Sequence, residues 1–150
     1  MPQSLACVLV HIVFSTKNRV RWIAEDIEPE LHAYLGGICR NADSPALAVG
    51  GTDDHVHLLC SLARTLSLSE LLQEIKTGSS TWIKTRGADY AGFHWQDGYS
   101  AFSIGRSGER DVRRYIARQK EHHRRVSFQD ELRAFLRKYG IEYDERYIWD

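Results

Sequence analysis

The stretch Asp54-His55-Val56-His57-Leu58-Leu59-Cys60 decides the fold, because its alternation is typical of a strand with two different faces. Residues two apart in a strand point to the same side, so His55 and His57 project together. The strand rise places them roughly 6.5–7 Å apart, which lets both imidazoles reach one divalent cation. The opposite side is apolar and predicts a core. One face is therefore a candidate metal site; the alternative is a pair of polar residues on a half-buried strand.

Length and composition favour a single domain over residues 1–150. No apolar run approaches the roughly 20 residues of a membrane helix, and the first four residues lack the charged start of a signal peptide. We therefore expect a cytoplasmic protein without a membrane segment. Cys7, Cys39 and Cys60 are far apart and lack Cys-x-x-Cys spacing, so we interpret them as small buried hydrophobes rather than disulfide or zinc ligands.

Charge is distributed unevenly, although the formal net charge is zero. A zero net charge counts against a protein that coats DNA through overall charge. Between Arg106 and Arg125, however, eight basic residues stand against three acidic ones. Acidic residues concentrate over 25–30 and in the C-terminal part. A neutral chain with this pattern can still present one positive face.

Periodicity divides the rest of the chain into alternating strands and helices. Leu31, Tyr34, Leu35 and Ile38 recur at helical spacing, for example, and predict an amphipathic helix. The predicted order is a strand over 5–15, a helix over 28–40, a strand over 46–49, the histidine strand, a helix from 68, a strand ending at 103, and helices over 107–124 and 128–139.

The helix from 68 has a capping box at its start, with Ser67 as N-cap and Glu70 three residues later. One face of this helix is polar and either contacts a nucleic-acid backbone or is simply solvated. It carries Lys76, Ser79, Ser80, Thr81 and Lys84. The aromatic residues that follow, Trp95, Tyr99 and Phe102, either stack on bases or belong to the core.

The order strand, helix, strand, strand, helix, strand predicts an α+β fold, with a ferredoxin-like split βαβ antiparallel sheet and helices on one face. Further helices follow at the C-terminal end. In this arrangement the histidine strand lies centrally beside the first strand. The basic helix over 107–124, which we expect Ser107 to cap, is then the natural element to pack against the histidine face.

Tyr115 and Gln119 lie four residues apart in that helix, so one helix face can carry both side chains. A tyrosine there can equally be a buried helix residue, and a glutamine can equally be a solvated polar residue. His122 and His123 follow near the predicted helix end, where histidines commonly cap carbonyl groups. We therefore leave His122 and His123 out of the predicted ligand set.

Five stretches, taken in order, resemble the single-tyrosine (Y1) transposases of the IS200/IS605 family, which belong to the HUH (His-hydrophobic-His) endonucleases. Singly each stretch is unspecific, but together they span most of the chain in the order of that family. They are His11-Ile12-Val13-Phe14-Ser15-Thr16-Lys17, Asp54-His55-Val56-His57-Leu58-Leu59, Ile75-Lys76-Thr77-Gly78-Ser79-Ser80, Trp95-Gln96-Asp97-Gly98-Tyr99 and Tyr115-Ile116-Ala117-Arg118-Gln119.

The resemblance implies a metal-dependent transposase that cuts and rejoins single-stranded DNA at hairpin-marked element ends through a 5′-phosphotyrosine. It implies that His55, His57 and Gln119 are ligands of Mg²⁺ or Mn²⁺ and that Tyr115 is the nucleophile. It also implies a homodimer, in which the tyrosine of one subunit can act in the site of the other. Asp54 can orient a histidine or a metal-bound water, and it can equally be the polar end of the preceding turn.

The chain departs from a minimal family member in its C-terminal extension, about residues 127–150. This extension puts the exchange of tyrosines between subunits in doubt. The main rival function is a hairpin-binding protein of the same fold that does not cut DNA. A replication or conjugation nickase shares the chemistry, but its usual additional domains do not fit into 150 residues.

Overall fold

The sheet is built around two long neighbouring strands, β1 (Leu9–Ser15) and β3 (His55–Ser61), in a computed structural model that describes residues 2–150. Strand β2 (Ala46–Gly51) flanks β3, and β4 (Ser100–Ile104) flanks β1. The order β2-β3-β1-β4 is antiparallel throughout. The helices are α1 (Glu28–Asn41), α2 (Leu68–Lys84), α3 (Glu109–Ala117), α4 (Gln119–His122) and α5 (Phe128–Lys138).

This topology confirms the ferredoxin-like split βαβ arrangement, with β3 central beside β1. Every residue of β1 is buried, because helices cover both faces of the sheet. Helices α1 and α2 pack against one face, and the core there includes Ile12, Phe14 and Leu58. The predicted capping box at Ser67 and Glu70 starts α2, and both of its hydrogen bonds are present.

The C-terminal helices cover the opposite face, which carries the histidines. Phe128, Leu132 and Leu136 of α5 pack against Val13 and Phe102 of the sheet, and the tail joins them through Ile148 and Trp149. The tail is held further by the carbonyl oxygen of Asp150, which accepts from the Gly98 amide at 2.9 Å. The extension is therefore part of the packed structure.

Helix α3 lies directly on β2, at a position that only a glycine allows. A Cβ atom at Gly50 would lie 2.4 Å from the carbonyl oxygen of Ile116 and 2.8 Å from its Cγ2 atom. The backbone of the tyrosine helix therefore rests on the backbone of the sheet. This close approach fixes the distance between α3 and the adjacent histidine strand.

The predicted start of the first strand was wrong, and the second strand runs to Gly51 rather than to residue 49. The first strand begins at Leu9 rather than residue 5, because the neighbouring strands β3 and β4 both end opposite Leu9. Beyond that point the Leu62 amide still donates to the Val8 carbonyl oxygen at 2.8 Å, but the strand does not continue. Cys7 is accordingly exposed, whereas Cys39 and Cys60 are buried as predicted.

The basic helix predicted over 107–124 is divided into α3 and α4. Ser107 does not cap it, because the N-cap position is Gly108 and α3 starts one residue later. Arg118, with φ −106° and ψ 22°, leaves the helical conformation and separates the two pieces. The break turns Gln119 inward, where it is buried at 1% exposure.

No helix within residues 2–150 combines the length and the apolar character needed to cross a bilayer.

Candidate metal and tyrosine site

His55 and His57 lie side by side on β3, as the alternation predicts, with ring centroids 5.2 Å apart. Both are essentially fully buried under the C-terminal helices. Val56, Leu58 and Cys60 point to the other face and join the core beneath α1 and α2. The strand therefore separates a polar centre from a hydrophobic core.

A second polar group holds each histidine ring through its Nδ1 atom. His55 Nδ1 lies 2.8 Å from Asp54 Oδ1, and His57 Nδ1 lies 2.8 Å from Nε2 of His11 on β1. Thr52 in turn donates to the Asp54 carboxylate at 3.0 Å. Both Nε2 atoms are thereby directed to the same place, as in metal-binding histidines whose second nitrogen is hydrogen-bonded. Asp54 has the orienting position that the sequence suggested.

Gln119, the first residue of α4, brings an amide oxygen to this place. Its Oε1 atom lies 3.2 Å from His55 Nε2 and 3.0 Å from His123 Nε2. Its amide nitrogen is buried and has no hydrogen-bond partner within residues 2–150. A buried amide N–H group without a partner costs free energy. The contacts that hold this side chain are those of its oxygen, with His55 and His123.

Glu131 of α5 occupies the centre of the group and is 3% exposed. Its Oε1 atom lies 3.0 Å from His57 Nε2, 3.2 Å from His123 Nε2 and 3.7 Å from His55 Nε2. Its Oε2 atom faces the other way, 3.2 Å from His122 Nε2, and also accepts a hydrogen bond from the Tyr115 hydroxyl. One carboxylate thus joins the histidines to the tyrosine.

Tyr115 is only partly buried, and its hydroxyl lies at the edge of the polar centre. It stands beside a cleft of about 460 Å³ that is lined by Arg114, Arg118 and Arg125, among other residues. Burial, reinforced by the negative charge of Glu131, raises the pKa of the phenol above its usual range. Tyr115 is therefore a neutral phenol with an open route to solvent.

The charges of the centre are those of an ionised acid among buried imidazoles. Burial lowers the pKa of His57 to about 4, so this ring is neutral at pH 7. Burial would raise the pKa of Glu131, but hydrogen bonds with His123 and His57 outweigh it and hold that pKa well below its usual range. A buried carboxylate surrounded by imidazole nitrogens is an arrangement that favours a cation.

The donor atoms fit a divalent metal. One ligand atom from each of His55, His57, His123 and Glu131 lies within 4.8 Å of the others. Four donor-to-donor distances, which include those to Gln119 Oε1, are 3.0–3.2 Å. Bonds of about 2.1 Å in an octahedral site place neighbouring ligands about 3 Å apart. Imidazole and carboxylate donors together suit Mn²⁺ and related ions.

The structure brings the two strand histidines, Gln119 and Tyr115 into one region, and it adds His123 and Glu131, which the sequence analysis did not include. His123 was set aside as a helix-end residue, yet its Nε2 atom lies between Gln119 and Glu131. A signal for Glu131 exists: it continues the apolar stripe of Phe128, Leu132 and Leu136 at helical spacing. A carboxylate inside such a stripe is rarely buried without a partner.

Two of the five residues on the polar face predicted for α2, Lys76 and Ser79, are used inside the molecule, whereas Thr81 and Lys84 are exposed. Ser79 is buried and accepts from the Trp95 indole nitrogen at 2.9 Å, because a buried indole N–H needs an acceptor. Lys76 Nζ donates to three carbonyl oxygens of residues 96–98, at 2.6–3.2 Å. Trp95 and Phe102 belong to the core, while Tyr99 is exposed.

Comparison with known proteins adds a family to this geometry. The family described as Transposase IS200 like matches residues 5–119. A candidate transposase from Deinococcus radiodurans R1 has a similar crystal structure, with a TM-score of 0.62 and 17% identity over 79% of this chain and 98% of that one.

A REP-associated tyrosine transposase bound to a REP hairpin is also similar, with a TM-score of 0.60 and 17% identity over 84% of this chain and 76% of that one. These two structures share the fold. No curated protein sequence matches the chain. Because the family match covers well over half of its residues, this chain belongs to the IS200-like transposase family.

Proposed function

We propose that this transposase cuts and rejoins single-stranded DNA at hairpin-marked element ends, with Tyr115 as the nucleophile and a 5′-phosphotyrosine as the intermediate. His55, His57 and Gln119 hold the divalent cation, Mg²⁺ or Mn²⁺. One observation carries the proposal: the Tyr115 hydroxyl and His57 Nε2 contact the two oxygens of the same carboxylate. Phenol and candidate metal ligands are therefore neighbours within one chain.

The residues suit this chemistry. A neutral phenol attacks a phosphodiester poorly, because both the protonated oxygen and the phosphate charge oppose the reaction. A bound divalent cation supplies Lewis-acid stabilisation of the charge that develops on the phosphate. The Tyr115 oxygen bonds to phosphorus as the bond from phosphorus to the 3′-oxygen breaks. The proton lost by the phenol is balanced by the proton gained by the free 3′-hydroxyl.

The reverse step rejoins DNA without a nucleotide cofactor. A second 3′-hydroxyl attacks the phosphotyrosine, loses its proton and regenerates the Tyr115 phenol. The phosphoester is conserved in the covalent link, so the reaction needs no external energy source. This balance suits a strand transferase as well as a nuclease.

The cleft beside Tyr115 supports access by a DNA strand. Arg114, Arg118 and Arg125 line it against two acidic residues, Asp111 and Glu121. Arginine binds phosphate oxygens through a planar, bidentate group and is always charged. These side chains can hold backbone phosphates on either side of the one that Tyr115 attacks.

The family resemblance implies a homodimer, and the contacts of Tyr115 support action within its own subunit. The hydroxyl meets Glu131 of the same chain, and the tyrosine ring lies 5.9 Å from the ring of His57. We propose that residues 1–150 form one catalytic domain. In this domain the extension over about 127–150 closes the site.

The test is covalent capture of DNA. Stem-loop oligonucleotides from the DNA that flanks the gene are labelled at the 3′ end and incubated with the protein and Mn²⁺. A 5′-phosphotyrosine retains the downstream fragment, so the 3′ label should migrate with the protein in a denaturing gel. Tyr115→Phe should abolish the adduct, because it removes the attacking oxygen.

Tyr147→Phe is the matched control, since Tyr147 is 64% exposed and lies away from the cluster. It should leave the adduct unchanged. Persistence of the adduct in Tyr115→Phe would disprove the assignment. Tight binding of the hairpins without any adduct in the wild-type protein would favour the rival function, a hairpin-binding protein that does not cut DNA.

A further inference from the structure

Glu131 lies outside the part of the chain that matches the family, which ends at residue 119. It is carried by α5, whose neighbouring positions Phe128, Leu132 and Leu136 are buried in an apolar cluster against the sheet. An ionised carboxylate in such a place is expensive unless its charge is compensated. The helix nevertheless places it between the polar centre and that apolar cluster.

The two oxygens of Glu131 have separate roles in the geometry. Oε1 faces the Nε2 atoms of His57, His123 and His55 at 3.0, 3.2 and 3.7 Å. Oε2 faces the Tyr115 hydroxyl and His122. A carboxylate that placed both oxygens among the histidines would leave the phenol with only its longer contact to His122 Nε2, at 3.3 Å.

We propose that Glu131 is a protein ligand of the divalent cation through Oε1, and that its Oε2 atom positions the Tyr115 hydroxyl beside that cation. This inference rests on the proposed function and extends its ligand set with a residue from the C-terminal helix. The nucleophile of each subunit is thereby tied to the metal of the same subunit. A hydrophobic helix face, rather than a mobile linker, sets the distance between them.

The rigidity of α5 makes this role geometrically demanding. The side chain of Ser127 accepts from the Asp130 amide and caps the helix one turn before Glu131. The apolar residues on either side fix the rotation of the helix about its axis. The carboxylate is therefore held close to the position in which a ligand must be preorganised.

Titration of the protein with Mn²⁺ by isothermal calorimetry, without DNA, tests the inference. Removal of an outer partner of a metal ligand typically weakens binding 10- to 100-fold. Glu131→Gln, which keeps the shape and removes the charge, should therefore raise the dissociation constant by at least about tenfold. Asp130→Asn is the matched control from the same helix turn, because its side chain is 69% exposed, and it should leave the constant unchanged.

A crystal of the wild-type protein grown with Mn²⁺ provides a measurement that does not depend on the folding of a variant. The anomalous peak should lie at bonding distance from Glu131 Oε1, with Oε2 still at the Tyr115 hydroxyl. A peak bound by His55, His57 and Gln119 with Glu131 displaced would overturn the inference, as would equal Mn²⁺ affinity in wild type and Glu131→Gln.

The two proposals fail separately. If the wild-type protein forms the Tyr115 adduct while the metal peak excludes Glu131, the inference is wrong and the proposed function stands. If Glu131 binds the metal but no DNA becomes attached to the protein, the proposed function is wrong and the ligand assignment is retained.

Discussion

Asp54 and His11 set the direction of the paired histidines, because each holds one Nδ1 atom at 2.8 Å. Neither residue lies among the candidate donors, yet both decide where the donors point. The pKa of Asp54 is held below its usual range: burial opposes this shift, but the hydrogen bonds with His55 and Thr52 and the nearby imidazoles together outweigh burial. The carboxylate is therefore charged when it accepts from His55.

Asp54→Ala should weaken Mn²⁺ binding by roughly 10- to 100-fold, because the His55 ring loses its charged acceptor. The Thr52 hydroxyl, 2.9 Å from the same nitrogen, is a weaker neutral replacement. Calorimetric titration measures the change. Asp53→Ala is the control, since that neighbouring carboxylate pairs with exposed Arg21. An unchanged affinity in Asp54→Ala would contradict the orienting role.

At this scale the sequence predicts which residues share a face, but not which way a ring turns. The alternation of β3 is local, and it placed His55 and His57 together. The partner of His57 is 46 positions away on another strand. In the sequence, His11 is a polar residue within an apolar stretch, and this does not identify His57 as its partner.

Among the helices, α3 owes its position to Gly50 of β2. Gly50→Ala should destabilise the protein by about 1–3 kcal/mol, because the added carbon meets the Ile116 carbonyl oxygen at 2.4 Å and overpacks the contact. It should also reduce the yield of the DNA adduct, since α3 carries Tyr115. Urea unfolding and the adduct assay measure the two effects.

Gly36→Ala is the control for that substitution. A Cβ atom at Gly36 meets nothing within 4 Å, and the residue lies inside α1. Alanine is preferred to glycine there by up to about 1 kcal/mol, so this variant should be as stable as the wild type or more so. A Gly50→Ala protein of unchanged stability would show that α3 can move away from the sheet without cost.

Ser127 caps helix α5 in the structure, whereas Ser107 was predicted to cap a helix and does not. Ser127→Ala should lower the free energy of unfolding by about 1 kcal/mol, because Ser127 accepts from the Asp130 amide at 3.1 Å. Ser107→Ala should change it by no more than about 0.5 kcal/mol, since Ser107 caps no helix. Urea titration of both variants measures the difference, and equal losses would contradict the assigned helix starts.

Helices were predictable from the sequence where their signals are local. The Ser67 and Glu70 pair identified the start of α2, and the apolar spacing identified α1 and α5. The break between α3 and α4 at Arg118 is not marked by a glycine or a proline in the sequence. The break accompanies the burial of Gln119 beside His55 of β3, a contact that spans 64 positions.

The whole molecule has a formal net charge of zero, yet arginine side chains line the cleft beside Tyr115. Arg114→Gln and Arg125→Gln should each reduce the slope of log affinity against log salt by roughly 0.7, if each side chain neutralises one phosphate of a single strand. Fluorescence anisotropy with a stem-loop oligonucleotide that carries a single-stranded tail measures this slope.

Arg21→Gln is the comparison for the two cleft variants. Arg21 is equally charged and its side chain is 82% exposed, but it lies outside the cleft and pairs with Asp53. Its removal should leave the slope unchanged. Equal effects of all three substitutions would mean that DNA follows the overall charge rather than this cleft.

The α+β class and the strand order were predictable because they follow from the succession of local patterns. The position of Glu131 beside the histidines was not predictable. The helix that carries it, α5, packs on a sheet whose last strand ends at Ile104, far earlier in the sequence. Nothing in the spacing of Glu131 identifies His57 as its partner. The apolar stripe around it predicted only that the helix would pack.

The separations of 64 and 74 positions that join β3 to Gln119 and Glu131 also bear on biosynthesis. Contacts between residues so far apart require the intervening chain to lose conformational entropy, so we expect them to form when the whole domain folds. A chain that has been synthesised only as far as β3 carries His55 and His57 but not yet Gln119 or Glu131. We expect incomplete chains to form no covalent adduct with DNA, and adduct formation in mild denaturant to be lost together with global folding.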